Sequence, residues 1–163
     1  MVSQAIMLAL RGVPAIYVHS LFGSRNYPEG VEATGRYRSI NREKFRRTDL
    51  EAALADPGDV RARVYTAYRR LLAVRRDHPA FHPVGAQDVL DFGPAVFALV
   101  RSAPDGSEML LCLHNVTGQA QDIALSPGIK PTPLRDIIQG GIYDQKTVTL
   151  APYQILWLLP ETF

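Results

Sequence analysis

Cysteine is almost absent from this sequence, since Cys112 is the only one among 163 residues. A single cysteine excludes an internal disulfide framework and any multi-cysteine zinc site. Cys112 stands within the apolar run 109–113, which predicts a buried thiol with a packing role. The sequence also lacks any spacing typical of metal ligands, and we expect neither a metal nor another cofactor.

Long apolar runs are missing as well. No stretch approaches the ~18 apolar residues that a membrane-spanning helix needs. The apolar N-terminal stretch lacks a basic lead and ends at Arg11-Gly12, which argues against a signal peptide. These features predict a cytoplasmic location and no membrane partner.

Charge is unevenly distributed along the chain. Residues 1–80 contain 14 Lys and Arg against 8 Asp and Glu, whereas residues 81–163 contain 4 against 8. A basic half can indicate nucleic-acid binding, but these arginines are spread over a loop and a helix without a recognition motif. We therefore predict solvated helix faces, a loop that contacts an anionic or polyhydroxyl substrate, and no nucleic-acid partner.

The start of the chain has the pattern that ends an α/β repeat. Residues 3–11 are strong helix formers, and Gly12 follows as a C-terminal stop. The apolar run 13–18 is rich in β-branched and aromatic residues, which is typical of a strand buried on both faces in a parallel sheet.

The middle of the chain changes from loop to helix. Residues 19–48 are polar, with several glycines and many arginines, and a stretch of this length without obvious structure predicts a functional loop. Asp56-Pro57 is typical of a helix start. The amphipathic pattern that follows predicts a helix to about Asp77, where His78-Pro79 ends it.

After about residue 83 the pattern becomes one of short alternating runs broken by glycine and proline. Such spacing predicts an all-β, antiparallel sandwich. The predicted strands cover residues 88–91, 96–101, 109–115, 121–125, 147–150 and 154–159.

This order of elements and three motifs resemble the C-terminal part of the α-amylase superfamily (glycoside hydrolase family 13). Residues 12–17 resemble barrel strand 8, while residues 111–115 and 150–157 resemble strands of the following domain C. The resemblance implies an α/β plus all-β fold. Residues 1–82 would be the C-terminal part of a (β/α)8 TIM barrel, namely strand 8, the substrate loop and helix 8, and residues 83–163 an antiparallel β-sandwich.

The long loop carries a more specific resemblance. Gly23-Ser-Arg-Asn26 and the run Gly35–Arg42 resemble the loop after strand 8 in the sucrose phosphorylase and glucosylglycerate phosphorylase-like subfamily. That subfamily has Asn-Asp where this chain has Asn26-Tyr27. Its members cleave α-glucosides with phosphate, so the implied partners are a sugar substrate and inorganic phosphate.

The resemblance places the catalytic carboxylates outside this chain. In the family, the nucleophile is an Asp after strand 4, the acid/base is a Glu after strand 5, and a further Asp follows strand 7. All three precede the motifs found here, and we assign no catalytic residue and predict that the isolated chain is inactive.

Substrate binding is what the loop would contribute, since barrel active sites form from the loops at the carboxyl ends of the strands. Arg38 matches the position at which sucrose phosphorylases use an arginine to hold the terminal glucose. A guanidinium offers a fixed fork of donors that suits this task. We predict that four residues bind substrate: Arg38, Arg36, His19 and Tyr37. Arg25 or Arg36 would meet phosphate or an anionic acceptor, Tyr27 or Tyr37 would stack on a sugar, and Arg42 would brace the loop.

Two alternatives remain open at the level of sequence. One is a glycoside hydrolase or transglucosidase of the same superfamily, which differs from a phosphorylase in its acceptor. The other is a non-catalytic module, either a carbohydrate-binding or a structural β-sandwich.

Overall fold

Leucine and β-branched residues dominate the strands of the C-terminal half. The computed structural model describes residues 1–125, 133–144 and 146–161, and eight strands occur among them. They are β1 (Ala86–Asp91), β2 (Val96–Ser102), β3 (Met109–Asn115), β4 (Gln121–Ala124), β5 (Leu134–Asp136), β6 (Ile142–Tyr143), β7 (Thr147–Leu150) and β8 (Ile155–Pro160).

Six of these strands form one antiparallel sheet in the order β1-β2-β3-β8-β5-β6, and β4 pairs with β7. Strand β3 is buried on both faces from Leu110 to Asn115. On one face, Leu111 and Leu113 join a core that is completed by residues from β2, β4, β5, β7 and β8. The antiparallel sandwich predicted for this part of the chain is confirmed.

The other face of the sheet is covered by helix α1 (Val2–Ala9) and a 3₁₀ turn (Pro79–Phe81). Cys112 pairs with Trp157 of β8, and the ring of Phe81 lies 4.6 Å from that of Trp157, centroid to centroid. Cys112 is fully buried, as predicted, and burial raises the pKa of its thiol.

The chain divides into two compact units, one of Ala15–Arg69 and one of Met1–Pro14 with Arg70–Phe163. Residues 1–14 and 70–82 therefore belong to the same unit as the sheet. The domain division that we drew between residues 82 and 83 follows the family resemblance and stays a prediction.

Helix α5 (Val60–Asp77) confirms the predicted amphipathic helix, but its start differs. Pro57 and Gly58 lie in a turn, and Asp56 accepts a hydrogen bond from the amide of Gly58 at 2.8 Å. Asp59 caps the helix instead, because its carboxylate accepts from the amide of Arg61 at 2.7 Å.

Two predictions for the N-terminal half were wrong. Residues 13–17 lie in no strand, and Val18 already begins a short helix, α2 (Val18–Leu21). A strand needs a paired neighbour, and within the described part of the chain none pairs here. The stretch 19–48 is not structureless: it also contains α3 (Pro28–Thr34), a 3₁₀ turn (Tyr37–Asn41) and the first residues of α4 (Arg47–Ala55).

Across the two sheets, the six predicted strands are confirmed to within about two residues at each end. Strands β5 and β6 were not predicted. These two strands are three and two residues long, too short for an alternating pattern to be seen. Among the described residues, no helix is long and apolar enough to cross a membrane.

Candidate functional site

The candidate site is built on a tight helical hairpin in the unit of Ala15–Arg69. Helix α3 ends at Gly35, which has a φ of 65°, a left-handed conformation that glycine adopts without steric cost. The chain then reverses into the 3₁₀ turn Tyr37–Asn41. The hydroxyl of Thr34 donates to the carbonyl of Gly30 at 2.6 Å and lies 2.9 Å from that of Ser39, which joins the two arms.

Two further hydrogen bonds hold the hairpin in place. The amide of Tyr27 donates to the carbonyl of Ile40 at 2.6 Å, and the hydroxyl of Tyr17 donates to the carbonyl of Asn41 at 2.7 Å. The ring of Tyr27 lies against Gly30 so closely that a β-carbon there would be 2.3 Å from it. The glycine is thus needed for the ring to pack on the helix.

The hairpin borders an open cavity of about 650 Å³. It brings together Arg36 and Arg38, two of the four residues predicted to bind substrate. Both side chains are exposed, and in the described parts of the chain neither has a hydrogen bond or an ion pair. The cavity is lined by Tyr27, Gly30, Ala33, Thr34, Arg36, Arg38, Ser39, Arg42, Glu43 and Lys44.

The one carboxylate of this lining is directed to a residue outside it. Glu43 lies 3.4 Å from the guanidinium of Arg61 on helix α5. The same guanidinium donates to the hydroxyl of Ser24 at 3.1 Å and lies 5.0 Å from the centre of the Phe45 ring. The lining therefore has four cationic side chains and a single anionic one that is already paired.

The other two predicted site residues do not line the cavity. The ring of His19 lies between those of Tyr17 and Phe45, at centroid distances of 5.2 and 4.6 Å, and its Nδ1 is 3.2 Å from the Ser24 hydroxyl. The side chain of Tyr37 is 89% exposed. Arg25 is also exposed and outside the lining.

Arg42 and Lys44 were missed as pocket residues, because Arg42 was predicted to brace the loop and Lys44 was given no role. Arg42 has no side-chain hydrogen bond or ion pair within the described residues, and it lines the cavity beside Arg38. The sequence offered only the closeness of Arg42 to Arg38 in the chain as a signal, since the 3₁₀ turn Tyr37–Asn41 was not predicted. Among the same residues, no group of three or more His, Cys, Asp or Glu could hold a metal ion.

Comparison with known proteins agrees with the loop motifs. The chain is 41% identical over 170 aligned positions to a glucosylglycerate phosphorylase of Spirochaeta thermophila, which covers 97% of this chain. It is 37% identical to the enzyme of that name from Allomeiothermus silvanus and 35% identical to that from Escherichia coli, each over 96% of this chain. The chain spans 26–29% of the length of these relatives.

Solved structures show the same fold at lower identity. A crystal structure of a MutB mutant in complex with the substrate sucrose matches 98% of this chain and 38% of its own, with a TM-score of 0.74 and 17% identity. A structure of AmyP in complex with maltose matches 63% of this chain and 21% of its own, with a TM-score of 0.55 and 19% identity.

No family model matches the chain. The sequence similarity to three phosphorylases and the structural similarity to MutB nevertheless both extend over almost the whole chain. The chain is thus similar in sequence to a part of the glucosylglycerate phosphorylases, and it shares the fold of a part of the MutB structure.

Proposed function

We propose that this chain supplies the sugar-binding loop of a retaining α-glucoside phosphorylase, with Arg38 and Arg36 as its substrate contacts. The observation that carries the proposal is the position of Arg38, which lines an open cavity and has no partner among the described residues. The alternative explanation for this arginine is a structural ion pair within the loop, and no such pair of Arg38 occurs among the described residues. An unpaired guanidinium instead keeps its fork of donors available for a carboxylate and for sugar hydroxyls.

The reaction proposed for the whole enzyme has two steps. A carboxylate that this chain does not contain attacks the anomeric carbon, while a second carboxylic acid protonates the leaving oxygen. An oxygen of inorganic phosphate then attacks the same carbon and gives its proton to the second carboxylate, which releases α-glucose 1-phosphate and restores both groups. The role of this chain is to hold the glucosyl unit in place during both steps, a contribution made by orientation.

The names of the relatives favour glucosylglycerate as the glucoside, and sucrose is the second candidate from the loop motif. His19 and Tyr37 lie outside the cavity lining, so the proposal is restricted to the two arginines. A cytoplasmic location and the lack of nucleic-acid and membrane partners remain predictions.

A chimera tests this proposal. The segment of the Spirochaeta thermophila enzyme that aligns with this chain is replaced by residues 1–163, and glucose 1-phosphate release from glucosylglycerate and phosphate is measured. We expect the chimera to be active. Arg38→Ala should lower kcat/KM by on the order of 10- to 100-fold, the usual range for charge-assisted hydrogen bonds.

Arg63→Ala is the matched control, because Arg63 is exposed on helix α5 and does not line the cavity. An Arg38→Ala chimera as active as its parent would overturn the role of Arg38. A folded chimera that releases glucose at a rate independent of phosphate would favour the hydrolase alternative.

A further inference from the structure

We propose that the sheet carries a surface site for a neutral saccharide, a platform formed by the ring of Tyr153 and the side-chain amide of Gln119. The ligand binds through one apolar face of a pyranose ring. Both residues belong to the unit of Met1–Pro14 with Arg70–Phe163. The inference is therefore independent of the role proposed for the arginines, which lie in the other unit.

The backbone of Tyr153 has a conformation that disfavours any side chain. Its φ is 55°, and among the described residues other than glycine it alone has a positive φ. It follows Pro152 in a turn that is closed by a hydrogen bond from the amide of Gln154 to the carbonyl of Ala151 at 3.0 Å. Glycine is usual at this place in a type II turn, because a β-carbon is sterically unfavourable there. Such an outlier indicates a functional role for the side chain.

Burial accounts for less than half of the Tyr153 side chain. The residue is 59% exposed, and its hydroxyl has no hydrogen bond to any described residue. One contact orients the ring: a β-carbon on Gly118 would lie 3.3 Å from the hydroxyl oxygen and 3.6 Å from a ring carbon. The backbone at Gly118 thus supports the phenol end of the ring, and most of the side chain remains open to solvent.

A buried asparagine ties the turn of Tyr153 to the loop of Gln119. The side-chain amide of Asn115 donates to the carbonyl of Gln119 at 2.7 Å and to that of Ala151 at 2.9 Å. Its Oδ1 accepts from the amide of Thr117 at 2.9 Å. The amide of Tyr153 in turn donates to the carbonyl of Thr117 at 3.0 Å. The two loops are therefore held together without a ligand, which lowers the entropic cost of binding one.

The chemistry of the two loops favours an uncharged ligand. Residues 116–120 and 151–154 include no charged side chain. The side-chain amide of Gln119 is exposed and has no hydrogen bond among the described residues. A pyranose has C–H groups on its faces and hydroxyls at its rim. The negative face of an aromatic ring attracts the C–H groups, and a carboxamide can donate to and accept from the hydroxyls. The platform offers both kinds of contact.

The experiment is an NMR titration of the isotope-labelled 163-residue chain with maltose, and with sorbitol as the control ligand. Sorbitol has similar hydroxyl groups but no rigid ring face. We expect maltose, added to about 50 mM, to shift the backbone amides of Gly118 and Tyr153 and the side-chain amide of Gln119. A dissociation constant in the millimolar range is expected for so open a site. Sorbitol should leave these signals unchanged.

Substitutions separate the ring from its hydroxyl. Tyr153→Gly removes the ring and relieves the backbone conformation, so it should weaken maltose binding by about tenfold or more without lowering the midpoint of thermal unfolding. Tyr153→Phe keeps the ring and should bind within about threefold of the parent. Gln119→Ala should weaken binding by about three- to tenfold. The control is Val89→Ala, which shortens an exposed side chain of β1 and should have no effect.

Absence of the maltose shifts, equal shifts with sorbitol, or unchanged binding by Tyr153→Gly would each overturn the inference. If Tyr153→Gly unfolds at a lower temperature, Gln119→Ala decides, and an unchanged affinity in that variant overturns the platform. Shifts confined to the residues that line the cavity of Arg36 and Arg38 would also overturn it, while they would support the proposed function. The chimera with Arg38→Ala tests that function separately.

Discussion

Arg75 and Arg101 converge on the carboxyl end of helix α1, where both donate hydrogen bonds to backbone carbonyls. Arg101 on β2 donates to Ala9 at 3.0 Å, and Arg75 on α5 donates to Leu8 and to Gly12, the latter at 2.7 Å. The last carbonyls of a helix have no partner within it and form the negative end of its dipole. The two arginine side chains thus supply hydrogen-bond donors to carbonyls that the helix leaves unpaired.

Neither arginine has an ion pair with a carboxylate in the part of the chain that the structure describes. Arg101 is fully buried, and its remaining donors reach the carbonyls of His82 at 2.8 Å and Ala86 at 3.2 Å. Burial lowers the pKa of both guanidiniums, and the charge of Arg101 lowers that of Arg75 further. Carbonyl dipoles therefore stabilise a pair of like charges.

The first prediction follows from Arg101. Arg101→Met nearly keeps the volume but leaves three carbonyls, one of them in a fully buried hydrogen bond, without this donor, which should lower the free energy of unfolding by about 3 kcal/mol. Urea unfolding at pH 7, followed by the fluorescence of Trp157, measures the loss. Arg63→Met should change it by less than about 0.5 kcal/mol. Equal stability of the two variants would show that the carbonyls find other partners.

The second prediction concerns His114, which is buried behind Trp157. Its Nδ1–H donates to the carbonyl of Phe97 at 3.0 Å, so its Nε2 accepts from the indole N–H of Trp157 at 3.4 Å. This arrangement requires a neutral ring. Burial lowers the pKa of His114 from 6.5 to about 4.

The direction of the pH effect follows from linkage. Between pH 6.5 and 4 the unfolded chain binds a proton at His114 that the folded chain does not, so stability is full above pH 6.5 and falls as pH decreases. The loss between pH 7 and pH 5 should be about 2 kcal/mol. Urea unfolding of the parent and of His114→Gln at both pH values isolates the part of this loss that is due to His114. A parallel decrease in both proteins would contradict it.

The third prediction uses two glycines with the same backbone conformation and different surroundings. Gly23 has a φ of 58°, and an added β-carbon would lie 2.9 Å from a methyl of Val64; Gly35 has a φ of 65° and open space. Gly35→Ala should lower the free energy of unfolding by about 1 kcal/mol, because of the backbone conformation alone. Gly23→Ala should lower the free energy of unfolding further, because the β-branched side chain of Val64 has few other rotamers with which to avoid the added methyl group. Thermal unfolding of both variants compares them, and an equal loss would argue that Val64 moves freely.

The fourth prediction concerns the isolated chain. With sucrose or glucosylglycerate and phosphate, the purified 163-residue protein should release no glucose 1-phosphate, because the family that the sequence resembles has its catalytic carboxylates upstream of the motifs found here. A coupled assay for glucose 1-phosphate measures this. Release above that of a heat-denatured sample would mean that the chain contains its own catalytic groups.

Sequence patterns predicted the strands of the sheet and the loop of the candidate site. Strands β2, β3 and β8 have apolar residues on both faces, and this composition distinguishes a central strand from an edge. The burial of Arg101 was not predicted: it shares a face of β2 with Leu99 two residues before, but arginine is seldom fully buried. The run Gly35–Arg42 indicated the loop that we propose to bind sugar, and it includes the two arginines that the cavity brings together.

By itself, the sequence determined helix α5 and the longer strands of the sheets, because propensity, alternation and turn chemistry act over a few neighbouring residues. The tertiary structure alone decided which groups meet across long separations. The ion pair with Arg61 leaves the carboxylate of Glu43 unavailable to the cationic side chains of the cavity. Arg101 donates to the carbonyl of Ala9, 92 positions away. Such contacts depend on how whole elements pack, and packing is not encoded in the spacing of any short segment.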